Sequence, residues 1–296
     1  MQKIKALNKN EIEKHYQAFS PLEITPKIHI FPELDSTNSY AKQFLKENPL
    51  ESHGSIIIAE KQNAGRGRLG RSFASNTDEG LYISFILNTD NLPVPLITPY
   101  VSLALVRSIK SIWNIDAKIK WVNDVFIGTK KIAGILTEAS FSTQEKGLSQ
   151  VIVGIGINIF QKESCFPVEL QAIAGSIYQA LLDRASVSID SENNKSEIDE
   201  DFLQFFFASK NIFTAQLIHN VFRILTQDIH KISENIAEYK AYSNILGKEV
   251  LVLQGDKSFL AKAVDINEEG HLIIEDALGK KQEILSGEVS IRLPTQ

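Results

Sequence analysis

Apolar positions recur along this chain with two periods, and the changes of period mark its elements. Residues near 10–19 form a short helix ahead of Pro21, and Pro26 keeps the following stretch extended. Ile28 to Leu34 reads as a strand entering LDSTNSYAKQFLKEN, where Asp35 to Asn38 offer N-caps for a helix with Tyr40, Ala41, Phe44 and Leu45 on one side. IIIA at 56–59 suits a strand buried on both faces, and LYISFIL at 81–87 is a second strand. A helix across 97–113 carries Leu103, Val106, Ile109 and Trp113 as an apolar stripe. Three extended segments follow: IKWV before Asn123, VFIG before a Thr129–Lys130 turn, and KIAGILTEAS. VIVGIGINI at 151–159 is the most strand-like stretch of all. Strands outnumber helices and their turns are short, which predicts a mostly antiparallel or mixed sheet with helices packed on one face.

Residues 186–201, rich in acids and poor in apolar side chains, read as a solvated loop. A helical region follows from Phe213 to Tyr242, with Leu217, Val221, Ile224 and Leu225 at core spacing. After Gly247 the period shortens to four or five strands in about 50 residues, with turns at Gly255, Gly270 and Gly279, which predicts a small β-barrel. The organisation is thus α+β, with a short extension at 1–27, a main domain at 28–244 and a small β-domain at 245–296.

Composition excludes more than it identifies. At 296 residues, 43% hydrophobic and 23% charged, the chain is an ordinary globular one. A net charge of −5 disfavours a general nucleic-acid coat. One cysteine, Cys165, rules out an intrachain disulfide and fits a reducing cytoplasm. No stretch reaches the ~20 apolar residues that span a bilayer, so no membrane partner is expected.

The candidate chemistry is spread over several segments. GRGRLGR at 65–71 sets Arg66, Arg68 and Arg71 among Gly65, Gly67 and Gly70; such a loop is loose when empty and is ordered by an anion. It suits a phosphate-bearing ligand gripped by a closing loop, and equally an RNA-contacting stretch or an exposed turn. KWVND ends in Asn123 and Asp124, able to hold Mg²⁺ or polar ligand groups, or simply to turn the chain. KIAGIL sets Lys131 at a strand start with Gly134 after it, a glycine that invites close approach to the backbone. GIGIN puts Gly154 and Gly156 in a buried strand closing on Asn158, which fits either a ligand lying against the sheet or a bulge. The six histidines show no metal-ligand spacing.

Taken in order, LDSTN, AEKQNAGRGRLGRSF, GLYIS, KWVND, KIAGILTE and VGIGINI resemble the catalytic domain of biotin protein ligases. FPVEL at 166–170 and the terminal GEVSIRL extend the likeness over residues 28–296. The resemblance implies a mixed β-sheet flanked by helices, related to class II aminoacyl-tRNA synthetases, and an SH3-like C-terminal domain. It implies an enzyme that makes biotinyl-5′-AMP from biotin and ATP, with Mg²⁺, then passes biotin to a lysine of the biotin carboxyl carrier protein of acetyl-CoA carboxylase. Lys131 and Arg68 match catalytic positions. Ser36, Thr37, Asn38, Gln62, Arg66, Gly67, Arg68, Lys131, Gly134, Gly154 and Gly156 match biotin-binding ones. Arg68, Arg71, Asn123, Asp124, Lys131, Asn158 and Arg292 match the ATP side, with Asp124 as the Mg²⁺ ligand. A homodimer formed edge to edge is allowed by the resemblance.

Two departures stand out: Val122 replaces the family's usual proline, and Leu69 stands where many members carry a further basic residue. LDSTN begins at Leu34, which leaves too few residues for an N-terminal DNA-binding domain, so no DNA partner and no repressor activity are expected. Competing readings are a lipoate or octanoate ligase, a non-catalytic biotin sensor and an RNA-binding protein. The polar STN segment, the retained Lys131 and the net charge argue respectively against them.

Overall fold

The computed structural model describes residues 4–22, 24–49, 52–90, 92–141, 148–187, 200–285 and 289–292. A first helix, α1 (Lys9–Gln17), precedes β1 (Lys27–Leu34), α2 (Thr37–Glu47), β2 (Ser55–Gln62) and β3 (Gly80–Asn88). Helix α3 (Ile97–Trp113) leads into β4 (Lys118–Lys120), β5 (Asp124–Ile127), β6 (Lys130–Phe141) and β7 (Leu148–Asn158). These seven strands form one mixed sheet in the order β1-β2-β3-β7-β6-β5-β4. Only β1 and β2 run parallel, because α2 carries the chain back over the sheet between them. The other pairs are antiparallel, with short turns joining β4 to β5 and β5 to β6.

The sheet is flanked on both faces, not on one as the sequence pattern predicts. One face meets α1, α3 and α7 (Lys210–Thr226) in a large core that includes Phe85, Tyr100, Phe213 and Phe222. The opposite face meets α2 through a small cluster of Ala41, Leu45, Ile57, Ile86 and Ile152. One 11-residue helix cannot cover a seven-stranded face, and the part left open is where the pocket lies.

The region after β7 is more helical than its sequence suggests. It holds α4 (Val168–Gln171), α5 (Ile177–Val187), α6 (Glu200–Ala208), α7 and α8 (Ile232–Tyr242). The helical region predicted as Phe213 to Tyr242 is therefore two helices, divided near Asp228, whose carboxylate pairs with Arg223 at 3.2 Å and Lys231 at 3.0 Å. The predicted acidic loop 186–201 is helical at both ends; residues 188–199 lie outside the described ones. Helix α6 is held by aromatic packing of Phe206 on Trp113 and Phe160, information carried by no local period.

The small C-terminal domain contains β8 (Glu249–Gln254), β9 (Lys257–Ile266), β10 (Leu272–Glu275), β11 (Lys281–Ile284) and β12 (Val289–Arg292) in an antiparallel sheet of order β11-β10-β9-β8-β12. Gly255, Gly270 and Gly279 all take positive φ, as the predicted turns require. The domain is tied to the β4–β5 turn by Trp121 Nε1, which donates to Gly270 O at 2.9 Å, and to α8 by a 2.7 Å ion pair of Lys240 with Asp265. No helix among the described residues is long and apolar enough to cross a membrane.

Candidate active site

The open part of the sheet and the N-terminus of α2 line a narrow pocket of about 60 Å³ that opens to solvent. Its inner end is polar. Ser36 caps α2, its Oγ accepting the Ser39 amide at 3.4 Å. That cap fixes the next two side chains in a site with almost no water: Thr37 is 4% and Asn38 3% exposed. Gln62 Oε1 accepts from the Thr37 amide at 2.8 Å and lies 3.1 Å from its hydroxyl. Ser84, fully buried on β3, sits 2.7 Å from Thr37 Oγ1 and 2.6 Å from Asn38 Oδ1. Burial of so many polar atoms is tolerable because each finds a partner in the network.

The outer end is cationic. The segment after β2 turns back on itself: Phe73 donates its amide to Gly65 O at 2.9 Å, and Gly67 to Arg71 O at 2.7 Å. Gly65 is needed there, since a Cβ would lie 2.2 Å from Ser75 Oγ. Leu69 and Gly70, both at positive φ, close the tip. The segment forms a hairpin in which separate acceptors hold the guanidiniums of Arg66 and Arg68 apart. Arg66 pairs with Glu138 at 3.2 Å, and Arg68 donates to Asn123 Oδ1 at 3.0 Å. The other terminal nitrogen of Arg68 is buried with no protein partner. Burial lowers the basicity of Arg68, Asp124 raises it and Arg71 lowers it; a guanidinium nonetheless stays charged near neutral pH. A buried, incompletely paired cation attracts an anion.

Lys131 opens onto the same pocket as Arg66 and Arg68 and pairs with Asp124 at 2.7 Å. The turn that positions Asn123 and Asp124 contains a cis Trp121–Val122 peptide. It is held from behind, where Val122 O accepts from Tyr239 on α8 at 3.2 Å and from Ser102 on α3 at 3.3 Å. Asn123 Nδ2 donates to Ile135 O at 3.0 Å, leaving its oxygen for Arg68. Asp124 offers one carboxylate, and the described residues contain no cluster of three metal-ligating side chains. That donor set fits Mg²⁺ carried mainly by nucleotide phosphates and not a resident, protein-caged ion.

All three strand glycines line the pocket, and the side chains around them show how little space each leaves. The ladder is regular at Gly154 and Gly156, so neither marks a bulge. Gly154 lies between Ser84 and Leu136, and a Cβ there would meet Asn38 Oδ1 at 2.1 Å. A Cβ at Gly156 would come within 2.7 Å of the Phe73 ring, and one at Gly134 within 3.2 Å of Lys131 Nζ. The glycines make room for the side chains that line the pocket.

Of the residues singled out in the sequence, Ser36, Thr37, Asn38, Gln62, Arg66, Gly67, Arg68, Asn123, Lys131, Gly134, Gly154 and Gly156 line one pocket. Arg71 does not: it is exposed and borders a neighbouring cleft with Pro167 and Glu169. Asn158 lies buried outside the pocket, donating to Gly175 O at 3.0 Å with its oxygen unpartnered. The segment at Gly175 is bonded to Lys131 in turn, its amide reaching Lys131 O at 2.9 Å. Arg292 ends β12 opposite Leu251, and its side chain is outside the described ones. Sequence reasoning missed Phe73, Ser84 and Glu138. All three lie inside motifs quoted above, Phe73 ending GRSF, Ser84 ending GLYIS and Glu138 ending KIAGILTE, and Ser84 also stands out as a hydroxyl in the apolar run LYISFIL.

Comparison with known proteins agrees with this geometry. Residues 30–158 match the biotin/lipoate A/B protein ligase family, and residues 245–292 match the biotin protein ligase C-terminal domain. The bifunctional ligase/repressor BirA of Bacillus subtilis is 31% identical over 264 residues, 87% of this chain and 72% of that protein. A biotin–[acetyl-CoA-carboxylase] ligase of Mycobacterium tuberculosis is 26% identical, covering 80% and 78%. The biotin protein ligase of Aquifex aeolicus in complex with biotin and ATP superposes with a TM-score of 0.64 at 28% identity, covering 91% of this chain and all of that one. The chain belongs to the biotin protein ligases, a branch of the biotin/lipoate ligase family, and is a ligase.

Proposed function

We propose that this chain binds biotin and ATP in the pocket described, joins them as biotinyl-5′-AMP, and passes biotin to a lysine of a biotin carboxyl carrier protein of acetyl-CoA carboxylase. The observation that carries this reading is the convergence of Arg66, Arg68 and Lys131 on the same pocket as the Ser36–Gln62 cluster. The polar end supplies the donors and acceptors that a ureido ring needs. At the cationic end, a biotin carboxylate oxygen attacks the α-phosphorus of ATP and the bond to pyrophosphate breaks. Both reactants are anions, so Arg68 and Lys131 lower the barrier by holding them together and offsetting the charge that accumulates. Mg²⁺ carried by the phosphates, with Asp124 beside it, would offset further charge. In the second step a lysine amine attacks the acyl carbon of the mixed anhydride, forming an amide and releasing AMP. Closure of the 63–75 hairpin over the pocket excludes the water that would otherwise consume the adenylate.

Residues 28–244 act in this scheme as the catalytic unit and 245–296 as an accessory domain, with 1–27 an extension. We assign no DNA-binding role to that extension: α1 is docked against α7, with Ile12 fully buried and Asn8 bonded to Asn211. Biotin-dependent exchange of labelled pyrophosphate into ATP tests the first step. Exchange with biotin and none with lipoate or octanoate is expected; no exchange by folded protein refutes the proposal, and exchange with lipoate or octanoate in place of biotin moves it to a lipoyl-type ligase.

A further inference from the structure

Glu138, on β6, gathers three donors around one carboxylate that is only 15% exposed. Its Oε2 accepts from Asn38 Nδ2 at 2.9 Å, while Oε1 meets Lys42 Nζ at 2.7 Å and a terminal nitrogen of Arg66 at 3.2 Å. Asn38 belongs to α2, Arg66 to the hairpin and Glu138 to the sheet, so three separately folded elements meet at this group. The carboxylate has only acceptors, so the Asn38 amide must turn its NH₂ toward Glu138 and its oxygen toward Ser84. Burial alone would push the Glu138 carboxyl up, but Lys42, Asn38 and Arg66 hold it below the usual range. It stays an anion wherever the hairpin's cations are present.

We propose that Glu138 is a positioning residue that couples the polar end of the pocket to the arginine hairpin, orienting Asn38 and holding Arg66 with the same carboxylate. This rests on the reading of the pocket as the biotin and adenylate site. Lys42 sharpens the assignment, because it shares Oε1 with Arg66 and so competes with the hairpin for the charge.

The test compares wild type, Glu138→Gln, Lys42→Met, Arg66→Gln and the double variant Arg66→Gln/Glu138→Gln. One readout is the rate at which trypsin cuts within 66–71 in the ligand-free protein, and the other is the release of biotinyl-5′-AMP after a single turnover with biotin and ATP. Glu138→Gln should speed both by about two- to fivefold, the range set by one half-exposed ion pair. Lys42→Met should leave both unchanged or slow them. In the Arg66→Gln background, Glu138→Gln should add nothing to cleavage. Wild-type rates in Glu138→Gln would overturn the proposal, as would a Lys42→Met variant that behaves like it or an additive double variant. If wild type makes no adenylate at all, the ligase reading fails, while the trypsin comparison still decides the coupling.

Discussion

Replacing Gly154 with alanine tests the packing logic of the pocket directly. The new Cβ would lie 2.1 Å from Asn38 Oδ1, 2.8 Å from its Cγ and 3.0 Å from its Nδ2, where ordinary contact starts near 3.4 Å. The amide must therefore retreat by more than an ångström in a region that is 3% exposed, and Gly154 cannot retreat because both its neighbours hold it in the ladder. Retreat breaks the 2.6 Å contact with Ser84 and the 2.9 Å bond to Glu138. Two lost hydrogen bonds between buried groups cost about 2–3 kcal/mol, which lowers the melting temperature by about 4–6 °C. Biotin affinity should fall by tenfold or more, since the same amide faces the pocket. Calorimetry and biotin titration measure the two effects. In an Asn38→Ala background, Gly154→Ala should cost little further stability, because its target is gone. Wild-type stability and affinity in the single variant, or full additivity in the double, would refute the reasoning.

Lys131→Ala should cut pyrophosphate exchange by about a hundredfold or more, with stability changed by less than about 1 kcal/mol because its partner pair is partly exposed; a variant that unfolds would show the lysine to be structural. Arg68→Gly should release adenylate and biotinylate bystander proteins, so unaltered adenylate retention counts against the role given to that guanidinium. Lys210, 1% exposed on α7 and donating to Asp78 O at 3.2 Å, is depressed by burial from the usual 10.5 to about 8, the charges of Glu60 and Asp78 offsetting part of that shift. The unfolded chain keeps that proton longer, so stability should rise as pH climbs from about 8 toward 10.5, by at most ~1.4 kcal/mol per unit. Lys210→Met should abolish this rise and stabilise the protein at pH 7, as denaturation midpoints across that range would record; a variant with the wild-type slope would show that another group is responsible.

Much of the sheet was legible because its signals are local. The β-branched run 56–59, the 97–113 stripe and the glycine-punctuated strands after Gly247 each follow from a period that a short window contains, and each lies where the structure has it. The helices α5 and α6 were not legible, since Phe206 is held by Trp113 and Phe160 from elsewhere in the chain. Coverage of both sheet faces escaped for the same reason: periodicity says that a residue is buried, not which element buries it.

The site divides along that line. Sequence alone supplied the residue types, an arginine-rich loop, a strand-end lysine, an amide beside a carboxylate and a polar cap, because motif order is a property of the chain. Only the tertiary structure decided that Arg68 reaches Asn123 while Arg71 borders a neighbouring cleft, that the strand glycines clear space for Asn38 and Phe73, and that Glu138 joins three elements. Those relations depend on strand register and on helices packed from behind. Distances between residues far apart in sequence become fixed only when the core closes.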